Sequence, residues 1–318
     1  MSIKQPRYPV YVISKGRYEP SLMLTAKTLE EIKCDYNIVV EPQEVELYKK
    51  SGVIKRGNII ALPEGFRNNP EWARPGNAGT VGGSIPARNF VWEHSIKEGH
   101  ARHWIIDDNI RDFYRSHRNT RLIVRSPVPL RVCEDFTDRF ENVKMSGLNY
   151  NFFVPANIEK VPYYLNTRIY SCTLLANDIP FRWRGKFNED TRLSLDILKA
   201  GYCTVLLNAF SAGKAASSAK GWGKGGNTEI YKETNGRLEF VEELKLDHPD
   251  VVELTQKWGR WHHHVDYSPF MRNKLIPKKG LVLNRAPNEY GLKLVRLDQH
   301  RGKPIQIIDT SKEFSIIT

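Results

Sequence analysis

The sequence predicts an α/β fold: a mixed, mainly parallel sheet flanked by helices, with a small β-rich extension at the C-terminal end. Three observations carry this. Short β-branched runs alternate with segments of helical apolar spacing through the first half of the chain. Gly, Pro and polar residues punctuate the joins. A hydrophobic run then stops abruptly on Asp107, Asp108 and Asn109, as a buried parallel strand does where it leaves its sheet.

Taken in order, Pro9 to Ile13 reads as a strand ending in Ser-Lys-Gly-Arg, and Leu22, Leu24, Leu29 and Ile32 follow at helical spacing. Tyr36 to Val40 is a second strand, Glu44 to Lys50 a charged helix and Ile59 to Leu62 a third strand. A long loop rich in Gly, Pro and Asn spans Pro63 to Ser84, a length usual for functional loops, and leads into a helix near Pro86 to Lys97. His103 to Ile106 is the strand that ends on the acidic triplet, and ligands of open α/β sheets gather beyond such strand ends. Gly147 to Leu175 holds alternating β-type runs, Glu189 to Ala200 an amphipathic helix, and Tyr202 to Leu207 another strand. Ser211 to Asn227 reads as a flexible stretch rich in Gly and Lys. Asp250 to Trp258 looks helical, and short strands are expected from about residue 275. The division expected is one domain over 1–270 and the extension over 271–318, packed on it.

The chain of 318 residues carries 48 Lys and Arg against 36 Asp and Glu, a net charge of +12 that points to a polyanionic partner or phosphate-bearing substrates. Its start lacks the apolar core of a signal peptide, and no run of about 18 apolar residues occurs. A cytoplasmic protein that does not span a membrane is expected. Cys34, Cys133, Cys172 and Cys203 form no C-x-x-C pair and are expected as free, mostly buried thiols.

Four places carry candidate chemistry. Asp107 and Asp108 supply hard oxygen ligands for a divalent cation on a rigid strand end, or simply terminate the strand in a turn. Glu189 and Asp190 at a helix start are either first-turn capping residues or a general base. The Gly82 to Asn89 loop enters a helix whose N-terminus suits phosphate, with Arg88 adding a charge, although it is no P-loop. In the His262, His263, His264 run alternate side chains share a face, so one metal site would use His262 with His264, or the cluster merely packs. Arg111, Arg115, Arg118, Arg121 and Arg125, interleaved with Phe113, Tyr114 and His117, suit phosphate contact and base stacking, or form a solvated basic face.

The ordered set VYVISKGR, SIPARN, WIIDDNI, NEDTRLSLDILKAGY and GRWHHHVDY resembles the nucleotide-sugar glycosyltransferases of the GT-A, Rossmann-like fold. More closely it is similar to the phage TET-associated glycosyltransferases, over roughly residues 9–267. That resemblance implies transfer of a sugar from a nucleotide-sugar, a UDP-sugar above all, to a hydroxymethylated pyrimidine such as 5-hydroxymethylcytosine in DNA, with inversion. It implies Mn2+ or Mg2+ on Asp107, Asp108 and Asn109, with Asn109 where the family's DxD motif places its second Asp. It makes Asp190 the base, with Glu189 beside it, and Ser14, Lys15, Arg17, Arg88 and Asp107 contacts to the sugar donor, with Lys214 in a segment closing over it. A target in duplex DNA would be flipped from the stack. A sugar-phosphate nucleotidyltransferase, a metal-dependent nuclease and a non-catalytic DNA-binding protein are the alternatives.

Overall fold

The computed structural model describes residues 4–66, 69, 72, 83–117, 120–155, 161–215, 238–257 and 259–281. Its centre is a ten-stranded mixed sheet built from β1 (Val10–Ile13), β2 (Tyr36–Val40), β3 (Gly57–Ala61), β4 (Arg102–Asp107), β5 (Ile110–His117), β6 (Thr120–Ile123), β7 (Val143–Tyr150), β8 (Tyr163–Leu165), β9 (Cys172–Ala176) and β10 (Cys203–Lys214). The order across the sheet is β3-β2-β1-β4-β9-β7-β10-β5-β6, with β8 paired to β10. The first four strands of that order run parallel, β9 is antiparallel to both of its neighbours, and β7 and β10 are again parallel. This is the mixed α/β architecture expected.

The helices are α1 (Leu24–Glu31), α2 (Val45–Lys50), α3 (Ile85–Lys97), α4 (Val128–Thr137), α5 (Glu189–Lys199) and α6 (Leu238–Asp247). Two buried apolar clusters contain residues of alternating strand parity. One takes Val10, Val12 and Ile38 with Leu29 of α1 and Leu130 of α4; the other takes Tyr11, Ile13 and Val39 with Val91 of α3 and Leu193 of α5. β1 is therefore apolar and buried throughout, and β2 and β4 are mostly buried, because both faces are covered, whereas β3 at the sheet edge is nowhere fully buried. No described helix is long and apolar enough to cross a membrane. All four cysteines are free and buried, and burial raises their thiols, that of Cys133 to about 12.

Three expectations change. The stretch 250–257 is not helical: β11 (Val252–Lys257) pairs antiparallel with β12 (Arg260–Val265) in a separate two-stranded sheet, with Gly259 at φ 67° between them, and Trp258 lies outside the described residues. The strand expected to end at Leu207 continues to Lys214, so the first residues of the supposedly flexible Gly-Lys stretch are sheet, while 216–227 lie outside the described residues. Of the arginine-rich run after Asn109, Arg111 and Arg115 lie on β5, held between β10 and β6, and Arg121 lies on β6. Of the C-terminal extension, residues up to 281 are described. They pack where α4 meets β7, through a bridge between Phe140 and Pro277 and an Asn142 Oδ1 that accepts from Ile276 N at 2.9 Å. Residues 282–318 lie outside the described residues.

Candidate active site

The site forms where β1 and β4 end side by side, with Ile13 in register with Asp107. Helix α1 clamps the turn that follows β4. Thr25 Oγ1 donates to Asp107 O at 2.6 Å and accepts from Ile110 N at 2.8 Å, and Thr28 Oγ1 donates to Arg111 O at 2.6 Å. The strand thus ends at a fixed point, and its two carboxylates diverge.

Asp107 meets Arg88 Nη2 at 3.0 Å, Lys214 Nζ at 2.9 Å and Ser171 Oγ at 2.6 Å. Burial alone would raise its carboxyl, but Lys214 and then Arg88 outweigh it and hold Asp107 well below the usual carboxylate range. Lys214 moves the opposite way: burial opposes its charge, yet Asp107 and Tyr150 carry it above the ordinary lysine value. Asp108 instead accepts from Ser14 Oγ at 2.9 Å and pairs with Arg17. Burial pushes its carboxyl up to about 6, with Arg17 and Ser14 opposing. The loop after β1 that supplies Ser14 and Arg17 is pinned by Glu44, which accepts from Gly16 N, and by the Tyr48 hydroxyl, 2.7 Å from Ser14 Oγ. Gly16 has φ 69°, which a side chain would disfavour. Lys15 is half exposed and reaches only Glu41, at 3.7 Å.

The SIPARN segment explains itself in the same way. Pro86 occupies the first turn of α3, where no N–H is needed. Arg88 is buried with its fork shared between Asp107, Ser84 and Glu189, the last at 3.8 Å from Nε. Asn89 holds the opposite loop through two bonds to the Trp183 backbone, at 2.8 and 3.0 Å.

That loop carries Glu189 and Asp190 into place. Arg192, fully buried, donates to the carbonyls of Arg184 at 3.0 Å and Phe187 at 2.8 Å and pairs with Asp247 of α6. Gly185, at φ 86°, leaves the room: a Cβ there would lie 2.1 Å from Arg192 Nη1. Phe187 stacks on Phe240 of α6 with centroids 3.6 Å apart, and Asn188, at φ 52°, donates to Phe240 O at 2.8 Å. Glu189 accepts from Ser84 Oγ at 3.2 Å. Burial raises the Glu189 carboxyl above its ordinary value, Arg88 opposing and Asp190 adding to it. Asp190 accepts from Thr191 N at 2.7 Å, and its charge bears on Arg168 and His263.

The structure thus brings Asp107, Arg88, Lys214 and Glu189 together, with Asp190 on the same helix turn and Asp108, Ser14 and Arg17 on the other side of the strand end. The remaining candidates sit apart. His262 and His264 lie on β12 opposite Thr255 and Glu253, His264 exposed. It is His263, on the other face, that comes under the influence of Asp190, and burial with Arg168 lowers its imidazole to about 4. Arg115 is only 7% exposed within the sheet, so it presents nothing to a phosphate backbone. Arg111 is exposed, Arg121 donates to Val154 O at 3.1 Å and Arg125 pairs with Asp112 at 2.8 Å; Arg118 lies outside the described residues. Sequence reasoning missed Ser171, Tyr150 and Arg168. Ser171 has φ 59°, a conformation uncommon for serine, and it carries the hydroxyl that reaches Asp107.

These donors do not fit the expected Mn2+ or Mg2+. A divalent cation needs several oxygens converging on one point. Here two cationic side chains occupy Asp107, Asp108 turns the other way, and of these three residues Asn109 alone keeps a buried oxygen, Oδ1, with no hydrogen bond. Among the described residues no group of three or more His, Cys, Asp or Glu is arranged to hold a metal ion.

A mixed sheet ending in carboxylates, faced by an acidic pair at a helix start, is the architecture of a glycosyltransferase-like protein. The family model for TET-associated glycosyltransferases matches residues 8–222, well over half of the chain, and the chain belongs to that family. It is therefore a glycosyltransferase. The match takes in β1 to β10 and both acidic motifs, and it ends before the histidine run. No curated protein matches the chain.

Proposed function

We propose that this glycosyltransferase moves a sugar from a nucleotide-sugar, a UDP-sugar first, to the hydroxyl of a hydroxymethylated pyrimidine in DNA, with inversion. The observation that carries the reading is that buried Arg88 and part-buried Lys214 meet on Asp107, while Arg88 also reaches Glu189 of the acidic pair on α5. One part suits a departing diphosphate, the other an entering hydroxyl.

In the step proposed, the acceptor oxygen forms a bond to the anomeric carbon while the bond from that carbon to the diphosphate oxygen breaks. The electron pair leaves on the diphosphate, and the hydroxyl proton passes to the Asp190 carboxylate. A hydroxymethyl group is a poor nucleophile, so proton removal during attack lowers the barrier. Arg88 and Lys214 are placed before the reaction begins, which spares the cost of reorganising charge as the diphosphate departs. Ser14 and Arg17 flank the nucleotide end, consistent with their place after β1.

The experiment is incubation with a panel of UDP-sugars and duplex DNA carrying either cytosine or 5-hydroxymethylcytosine, followed by mass spectrometry of the nucleosides. A sugar-sized mass addition confined to the hydroxymethylated base is expected. Release of nucleoside diphosphate without change in any DNA, or modification of proteins or free sugars alone, would discard the acceptor.

A further inference from the structure

The most exposed large apolar side chain among the described residues is Phe152, at 80%, and its neighbour Phe153 is 48% exposed. They occupy the short helical turn Asn151–Phe153 that follows β7, and their rings meet edge to face with centroids 5.3 Å apart. Two adjoining phenyl rings in water form an apolar patch, and such patches mark contact sites.

Their position says what the contact is. Phe153 lies nearly parallel to Tyr150, with centroids 5.9 Å apart and planes 26° apart. The Tyr150 hydroxyl bonds Ser171 Oγ and accepts from Lys214 Nζ at 3.1 Å, both of which hold Asp107. Tyr150 also packs on Tyr170 at 4.4 Å, and Arg168 lies over Tyr170 at 4.8 Å, close enough to Asp190 for that carboxylate to favour the protonated guanidinium. A continuous series of rings therefore runs from solvent to both ends of the candidate site. Beside it Arg121 donates to Val154 O at 3.1 Å, which puts a guanidinium next to the aromatic turn in a chain of net charge +12.

We propose that Phe152 and Phe153 are the stacking platform for an unstacked nucleobase, a pyrimidine displaced from its DNA strand. This rests on DNA being the acceptor. Every base offers a π face to such rings, and a cation beside them meets the adjoining phosphate. The occupant is a base and not the sugar of the donor, because the two rings stand at the solvent end of the series, with the Arg121 guanidinium beside them for the adjoining phosphate, in a chain of net charge +12.

The test uses the full chain and the double variant F152A/F153A, with Phe152→Ala alone beside it because Phe153 is half buried against Tyr150; unchanged melting confirms folding. Binding is measured to a single-stranded oligothymidylate and to an abasic oligomer with the same number of phosphates. About tenfold weaker binding of oligothymidylate, unchanged binding of the abasic oligomer, an unchanged KM for the UDP-sugar, and recovery in Phe152→Tyr are expected. Equal loss on both oligomers, no loss on either, or a raised UDP-sugar KM with oligothymidylate binding intact would overturn the platform. The two readings fail separately. Ring-dependent oligothymidylate binding without any sugar transfer leaves the platform standing and removes the acceptor reaction. Transfer to hydroxymethylated DNA at full efficiency by the double variant does the reverse.

Discussion

Asp190 and Glu189 are adjacent in sequence and differ in surroundings. Glu189 points its charge at Ser84 and Arg88, the side of Asp107, whereas Asp190 bears on Arg168 and His263, the side of the tyrosines. If the acceptor enters from the tyrosines, Asp190 is the carboxylate it meets. Asp190→Asn is expected to keep sugar-donor affinity and lose at least a hundredfold in turnover, the lower range for removing a general base, as measured by single-turnover assay. Near-normal turnover would move the role to Glu189. Lys214→Met takes one of the two cations from Asp107 and from the path of the diphosphate, so a loss of about tenfold or more in nucleoside diphosphate affinity is expected by calorimetry. Because cationic side chains already fill the space around Asp107, a chelator should leave the transfer rate of the enzyme as isolated unchanged. A rate restored only by added Mn2+ or Mg2+ would show that a cation displaces Lys214.

The elements that hold these residues depend on a few tight fits. Gly147 on β7 faces β9 so closely that a Cβ would lie 2.3 Å from Cys172 O, a backbone atom that cannot swing away. Gly147→Ala is therefore expected to cost roughly 2 kcal/mol or more, read as a lowered midpoint in urea. Arg192→Met takes the nearer guanidinium from Asp247, which keeps Arg184 at 3.5 Å, and frees two carbonyls of the loop before α5, a buried pair broken on one side, for which about 3 kcal/mol is expected. Much of this frame was legible in the sequence. Strand β1 is apolar on both faces, and the motif segments SIPARN and NED start helices with recognisable first turns. What escaped were elements whose pattern depends on partners far away in sequence. Val251, Val252 and Leu254 imitate helical spacing, yet only Val251 and Val252 are buried, against α6, and the rest is a hairpin that mixes part-buried with exposed side chains. Beyond Leu207 the residues of β10 other than Phe210 are small or polar and look like loop, yet neighbouring strands on both sides supply their hydrogen bonds. Arg115 looked like a surface cation because burial of an arginine within a sheet leaves no local signature. The pairing of Asp107 with Lys214 spans 107 residues, and no local spacing encodes it.

At the scale of the whole molecule, acid stability follows from buried imidazoles. His103 is fully buried with Nδ1 2.6 Å from Asn177 Oδ1, and burial lowers it to about 4. The unfolded chain binds a proton near pH 6.5 and the folded chain does not, so this group's contribution is complete above about 6.5 and is lost as the pH falls to about 4. His248, also lowered to about 4, acts in the same direction. His103→Gln should lower the melting temperature at pH 7 and progressively less at lower pH, the gap from the wild-type protein narrowing by pH 4.5; a constant gap would show that the imidazole titrates alike in both states. The site itself has a different electrical character from the surface. Arg17, Arg88 and Lys214 stand against Asp107, Asp108 and Glu189, so the cluster is compensated when all are ionised and its field is short-ranged, while the excess of +12 belongs to the remainder of the chain. A sugar donor is then recognised by exchange of neighbours at contact distance, which dissolved ions barely screen, and DNA by the distant field, which they screen strongly. Between about 50 and 200 mM salt, sugar-donor affinity should stay nearly level as DNA affinity falls steeply, and neutralising Arg111 and Arg121 should flatten the second slope without touching the first.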